Sequence, residues 1–502
     1  MKIKNKTTLL NIITSLLLQL IALVYGFLNS RLIIQYFGSN VNGLITSLNQ
    51  FLSYITLIEG GITGVITAVL YTPLVSGDQN KISAILVTTK RFFRIVGIIF
   101  IIYTIILGVV YPLVSSEGFD FYFVFLLTII LSINLLIQYM LSLTYKTLLV
   151  ADKKIYIVSI SQILVYILNI VMSLICVNFF PNVLIYKLIN GITFLVQPII
   201  YTIYVRKNYH IDKKTKYDND LIKSRWEGFA INVAAFIHFS TDAIILTIFT
   251  NLNVVSVYSV YALVTSGLRA IVNSIATAIT PTIGHSYAKG NFDDLNQKMD
   301  LYEYIINFSV FFLFTVGALL ITPFVMLYTK NINDAEYYQP IFGILIIVSE
   351  VLYLIKFPHL NLAYCANQFK KLTIPAFIEA GLNIVCSIVL VNFFGLIGVA
   401  IGTIIAMFFR LIYQIYFTTK IIESRPQWNF YKKIIYFTLP TIIGVLIYYF
   451  WFPKPIDTSV SSWIVCAIIY SSCFLILYFI TSLIFFRKEL FTMKNYLVKK
   501  IK

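Results

Sequence analysis

Charge is what this chain has least of. Of its 502 residues only 12% are Asp, Glu, Lys or Arg, whereas 59% are apolar and the mean hydropathy is +0.86. A soluble domain carries about 25% charged residues. Runs of roughly 20 apolar residues recur from end to end, each long enough to cross a hydrocarbon core of about 30 Å. Most have no polar face at helical period, which excludes a soluble helical repeat. Histidine is also scarce, at positions 210, 238, 285 and 359 only. No Ser–His–Asp set, phosphate-cradling glycine loop or paired-histidine zinc motif is present, so no enzyme and no ATP site is expected. The five cysteines (176, 365, 386, 466 and 473) are odd in number, lie in or beside apolar runs and show no C-x-x-C spacing. They predict neither a disulfide framework nor a metal centre, and no cofactor is implied.

What is present is a sequence of apolar spans. They fall at roughly 9–29, 43–71, 92–114, 121–149, 155–178, 183–205, 226–250, 255–286, 302–328, 341–366, 372–393, 396–419, 433–452 and 462–486, predicting an all-α integral membrane protein of about 14 transmembrane helices. The opening "MKIKNK" and its apolar run have the outline of a signal peptide. The run continues past twenty residues, contains Gln19 and Asn29 and lacks an A-x-A site, so it is read as the first span. Gly60-Gly61, Pro281, Pro358 and Pro375 are the expected break points. On this topology 31 of the 38 Lys and Arg lie on one side, and only Arg31, Lys187, Lys330 and Lys454 on the other. The positive-inside rule then places both termini in the cytoplasm. The net charge of +17 is accounted for by topology and anionic lipid, without nucleic acid.

The chain also writes one phrase twice. "LNIVMSLICVNFF" at 168–180 and "LNIVCSIVLVNFF" at 382–394 agree at nine of thirteen positions, 214 residues apart. "YPLV" (111–114) and "TPFV" (322–325), "SGD" (76–78) and "KGN" (289–291), and the loops "VADKK" (150–154) and "CANQFKK" (365–371) keep a similar offset. Spans one to six and seven to twelve therefore read as copies. An even number of spans in each makes the repeats parallel, the plan of alternating-access transporters. The expected divisions are an N-lobe at 1–205, a cytoplasmic linker at 206–225, a C-lobe at 226–420, and two further spans with a basic cytoplasmic tail at 421–502.

Against this apolar background a few charges stand out. Arg269, Lys356 and Arg410 lie 12–16 residues from a span end, near the midplane, with Lys146 in the inner part of span four and Arg31 at the end of span one. An ionisable group at that depth costs about 2.5–3.5 kcal/mol on insertion scales and marks a functional position. Two arrangements are open: the cations line a shared aqueous cavity, or they pair with Glu59, Asp242, Glu350 and Glu379. A cavity with fixed cations suits an anionic cargo, since Arg grips phosphate bidentately and Lys acts as a point charge. His238 and Asp242 share a helix face, as do Glu379 and Asn383. With Thr403, and with Glu59 ahead of Gly60-Gly61, they are the candidate ligands for Na+ or H+ as coupling ion.

Arg31 with "YFGSNVNG" (36–43), the second span "LITSLNQFLSYITLIEGGI" and the 6+6+2 layout together resemble the Wzx-type polysaccharide flippases of the multidrug/oligosaccharidyl-lipid/polysaccharide exporter superfamily. The resemblance spans essentially the whole chain on diffuse motifs. It implies two MATE-like lobes and a cationic cavity in a multi-pass protein of the bacterial cytoplasmic membrane. The implied cargo is an undecaprenyl-diphosphate-linked oligosaccharide repeat unit for capsule or O-antigen, contacted by Arg269, Arg410, Lys356, Arg31 and Lys146. Glycosyltransferases and a polysaccharide polymerase are the implied partners. A MurJ-like lipid II flippase is the nearest alternative, and a multidrug or cation antiporter a further one. Span one carries no carboxylate, which weighs against the antiporter.

Overall fold

Residues 2–115, 118–212, 215, 240–422, 425–451 and 459–493 are described here from a computed structural model, and every regular element among them is helical. Helix is what so apolar a chain must form in lipid, where no water satisfies a backbone N–H or C=O. Among the described residues eleven helices are long and apolar enough to cross a membrane. One of them, Lys371–Ile421, is broken in two at Gly395, and the shorter apolar helices Thr63–Ser76 and Ser240–Phe249 stand at the expected second and seventh spans. The described parts of the expected spans are helical, and most of the expected seventh span, residues 226–239, lies outside the described residues.

The chain divides into two compact units, Met1–Ser256 and Val257–Lys502. In the first, α1 (Lys2–Phe37) packs along α7 (Ile155–Phe179), α4 (Gln79–Ser115) along α5 (Phe121–Ile137), and α5 against α8 (Val183–Thr193). Asp120 and Asn182 cap α5 and α8, each side chain accepting two backbone N–H bonds. The α2 helix (Ser39–Leu52) approaches the chain at Leu252 so closely that a Cβ on Gly43 would lie 1.8 Å from the Leu252 carbonyl oxygen. Polar ties run there too: Asn42 Nδ2 donates to Ser256 Oγ (2.8 Å), and Thr247 Oγ1 of α10 (Ser240–Phe249) and Tyr111 OH both donate to Ser47 Oγ (2.8 Å each). By packing, α10 therefore belongs with the first unit, although the sequence repeat assigns that span to the C-lobe.

The second unit comprises most of α11 (Leu252–Ala288), then α12 (Phe292–Tyr328), α13 (Pro340–Ile355), α14 (Phe357–Cys365), α15 (Phe369–Ile421), α16 (Trp428–Trp451) and α17 (Val460–Phe485). The last two helices pack on α12 through Tyr304, Phe437, Phe474, Tyr478 and Phe486. Tyr478 OH joins Thr441 and Thr315 inside this aromatic cluster.

The doubled phrase has a structural meaning. Asn169 and Ser173 in one copy, and Asn383 and Ser387 in the other, are four apart and buried. Thr193 Oγ1 donates to Asn169 Oδ1 (2.6 Å) and Asn190 Nδ2 to Ser173 Oγ (3.0 Å), tying α7 to α8. In the second copy Ser387 Oγ lies 3.1 Å from Asn383 Oδ1 and 3.3 Å from Val399 O, across the bend at Gly395. What each repeat keeps is polar glue between its last two spans.

The breaks differ from expectation. Only Pro358 coincides with one: its ring would clash with the carbonyl four residues back, and the helix is interrupted at Lys356 between α13 and α14. Pro281 and Pro375 sit inside continuous helix, as do Gly60 and Gly61. The second span breaks instead at a 3₁₀ turn, Ser53–Ile55, before α3 (Thr56–Ser76), the fourth at a π-helical segment, Gln138–Ser142, before α6 (Leu143–Ala151), and the sixth at residues 194–195, before α9 (Val196–Asn208).

Candidate functional site

Three of the five cations expected at the site meet in the second unit, and each meets an acid. Arg269 Nη1 of α11 donates to Glu350 Oε1 of α13 at 2.7 Å. Lys356, at the break between α13 and α14, places Nζ 3.4 Å from Glu379 Oε1 and 4.5 Å from the centre of the Tyr353 ring. Arg410 Nε lies 3.3 Å from Glu379 Oε2, near enough for an ion pair but not aligned as a hydrogen bond, while its Nη1 donates to Leu372 O. Glu379 thus sits between two cations supplied by the helix break and by the far limb of its own helix. Lys356, Glu379, Arg410 and Glu350 are buried, whereas the Arg269 side chain keeps 22% of its surface. Of the two arrangements open from sequence, the ion-paired one is present, with Glu350 and Glu379 as the acids.

Among the described residues the three cations face two carboxylates, and Glu350 Oε2 is buried without a hydrogen-bond partner. Beside the cluster lies a cavity of about 510 Å³. Tyr353 belongs to both, lining the cavity and bearing Lys356 over its ring. The rest of the lining is chiefly aromatic and amide or hydroxyl: Tyr364, Asn361, Asn273, Thr277 and Thr280. Asn361 Nδ2 donates to Thr280 Oγ1 (3.0 Å) and Tyr302 OH (2.7 Å).

The other expected residues fall elsewhere. Arg31 and Lys146 are half-buried in the first unit, on α1 and α6, and Lys146 has no ion-pair partner among the described residues. Asp242 is buried in α10 of that unit. His238 and the side chain of Glu59 lie outside the described residues. Asn383 and Thr403 are buried on the two limbs of α15, Thr403 donating to Val399 O. Both Glu379 oxygens already face cations, which opposes a metal ion there. Among the described residues no three His, Cys, Asp or Glu gather as a metal site. Lys187, which the topology places on the outer side of the membrane, is buried with the Tyr186 ring 5.5 Å from its ammonium group.

A second buried cluster went unseen in the sequence. Glu303 of α12, fully buried, receives Arg425 Nη2 at 2.7 Å and Lys433 Nζ at 2.9 Å on Oε2. Asp300 receives the same two cations at 2.9 and 2.6 Å. Burial disfavours the charge on Arg425, but Glu303 and Asp300 outweigh it and hold its pKa above the ordinary value. Glu303 Oε1 faces His359 Nε2 at 3.6 Å, and His359 Nδ1 lies 2.9 Å from Thr418 Oγ1. The available signal was "DLYE" (300–303): two carboxylates three apart at the mouth of an apolar run, needing cations that Arg425 and Lys433, more than a hundred residues on, supply.

Comparison with known proteins follows the fold. No family model matches the chain. An uncharacterized membrane protein of Methanocaldococcus jannaschii is 26% identical over 243 residues, 47% of this chain and 45% of the relative, so the chain spans about half the length of the curated relative it matches. Among solved structures, the lipid II flippase MurJ in an inward closed conformation has a TM-score of 0.72 at 16% identity, covering 95% of this chain and 99% of that one. An inward-facing multidrug resistance MATE transporter of the MOP superfamily has a TM-score of 0.68 at 16% identity over 82% and 96%. The Vibrio cholerae MATE transporter VcmN has a TM-score of 0.58 at 14% identity over 84% and 99%. The fold is that of these membrane transporters, and no catalytic family is indicated.

Proposed function

We propose that this chain is a flippase, carrying undecaprenyl-diphosphate-linked oligosaccharide repeat units from the inner to the outer leaflet of the bacterial cytoplasmic membrane by alternating access, for surface polysaccharide assembly. The observation that supports this most is the gathering of Arg269, Lys356 and Arg410 beside a cavity lined in part by tyrosine rings, amides and hydroxyls. A diphosphate offers several oxygens to guanidinium groups, and the two glutamates hold those groups charged in the apolar interior until an anion competes for them. Aromatic faces and side-chain amides suit sugar rings. A lipophilic cation would meet three fixed cations, which argues against a cation antiporter. Arg31 and Lys146 are proposed as further contacts with the cargo. Asp242, with His238, is proposed as the carrier of the coupling Na+ or H+. Glycosyltransferases and a polymerase would act before and after it.

A lipid II flippase is the second reading, favoured by the MurJ fold matching over 95% of the chain. Both cargoes share the diphosphate and differ in the sugar. The test replaces Arg269 and Arg410 singly by Ala and by Lys in the native host. Surface polymer is expected to be lost while the protein's abundance in the membrane stays normal; undiminished polymer in both alanine variants overturns the proposed cargo site. Depletion of the protein separates the readings, since lysis with accumulated lipid II would favour the second.

A further inference from the structure

The first unit holds a cavity of about 400 Å³ that the proposed transport does not use, within the range of small-ligand pockets. It lies where two spans are interrupted together. Span four changes from α to π at Gln138–Ser142, and span six breaks at residues 194–195 ahead of α9. Single-turn π segments are uncommon and gather at functional places. Here the segment presses Met140 onto α4, where a Cβ on Gly97 would lie 2.8 Å from Met140 Cγ, and leaves Leu141 half exposed. Met140 and Leu141 form one wall of the groove; Leu195, Ile199 and Ile203 form another. Ile199 and Ile203 are more than half exposed, as apolar side chains that meet acyl chains are.

At the other end of the groove stand Lys90 of α4 and Arg206 in the last turn of α9, both solvent-facing, with the hydroxyls of Thr144, Tyr145 and Thr202 between. Among the described residues, none of the eleven that line the groove is acidic. From Leu195 to Arg206 is eleven residues, about 16 Å of helix, close to half of the roughly 30 Å hydrocarbon core. The cations stand at the basic ends of their spans, where the positive-inside rule puts the cytoplasmic surface.

We infer that this groove is a binding site for one anionic phospholipid of the cytoplasmic leaflet, its phosphate between Lys90 and Arg206 and an acyl chain along the π-bulged face of span four and the second half of span six. None of its lining residues is among the proposed cargo contacts, and the inference stands or falls independently of the proposed transport.

The test uses the full-length protein in zwitterionic phosphatidylcholine nanodiscs, with phosphatidylglycerol added as probe and thermal unfolding and native mass spectrometry as readouts. Phosphatidylglycerol is expected to raise the unfolding midpoint and to remain bound as a single molecule. In Lys90→Ala/Arg206→Ala the affinity is expected to fall about thirtyfold at low salt, the usual attraction of two cations near a bilayer surface. Ile199→Trp, which fills the groove and keeps both charges, should also lose the bound lipid. Lys207→Ala, one residue outside the groove, should keep it. Equal stabilisation by phosphatidylcholine, full retention of phosphatidylglycerol by the double variant or by the tryptophan variant, or the same midpoint rise from soluble glycerol phosphate would each overturn the inference.

Discussion

At the scale of single residues, Glu379 is the most consequential position in the second unit. It is the counter-charge for two buried cations, and removing one partner of a buried ion pair costs about 3–5 kcal/mol. Glu379→Gln is therefore expected to lower the unfolding midpoint more than Glu350→Gln, whose partner Arg269 retains contact with solvent. Thermal unfolding of the two variants in one detergent checks the order, and a larger loss in Glu350→Gln would refute it. The residues of this cluster were legible in the sequence, because a charge inside an apolar run is costly wherever it points. Their pairing was not, since Arg269 and Glu350 are 81 positions apart and Lys356 and Glu379 are 23. The burial of Lys187 by its neighbours was likewise not legible, since it is set by helices packed against it rather than by its place near a span end.

At the scale of elements, α15 turns on glycine. Gly395 adopts φ 54° and ψ −127°, a region closed to other residues, and bends the helix so that its limbs pack against each other. Gly398 and Gly402, spaced as in a G-x-x-x-G contact, then approach the first limb so closely that a Cβ would lie 2.2 Å from Leu390 O and 2.4 Å from Ser387 Oγ. Gly402→Ala is expected to cost about 1–3 kcal/mol by overpacking. Gly381→Ala, in open space on the same helix, should be neutral or stabilising by up to about 1 kcal/mol. Unfolding midpoints measured side by side test the contrast, and equal effects would remove the close crossing from the account. Prolines were the break signals in the sequence, yet only Pro358 marks a break, because neighbouring helices in a bundle resupply the hydrogen bond a proline removes.

At the scale of the whole molecule, the last two helices are part of the second unit rather than an appendage to it. Glu303 and Asp300 hold Arg425 and Lys433 at the entry to α16, and the aromatic cluster around Tyr478 continues the contact to α17. Glu303→Gln is expected to destabilise by about 3–5 kcal/mol. Glu303→Gln with Lys433→Met should lose less than the sum of the two single changes, the sign of direct coupling; additive losses would show that the pair does not act together. Topology is tested over the full length: a green fluorescent protein fused after Lys502 should fluoresce, and alkaline phosphatase at the same place should be inactive.

Membrane-spanning helical class, the repeated phrase and the identity of the anomalous charges were all determined by the sequence alone. Each is a property of one segment, set by local hydropathy and its period. Only the tertiary structure decided which acid faces which cation, that packing assigns the seventh span to the first unit, and that the repeated asparagine and serine tie neighbouring spans. These are relations between helices far apart in the chain, and a shift of one residue in register, about 100° around a helix, would have paired different side chains.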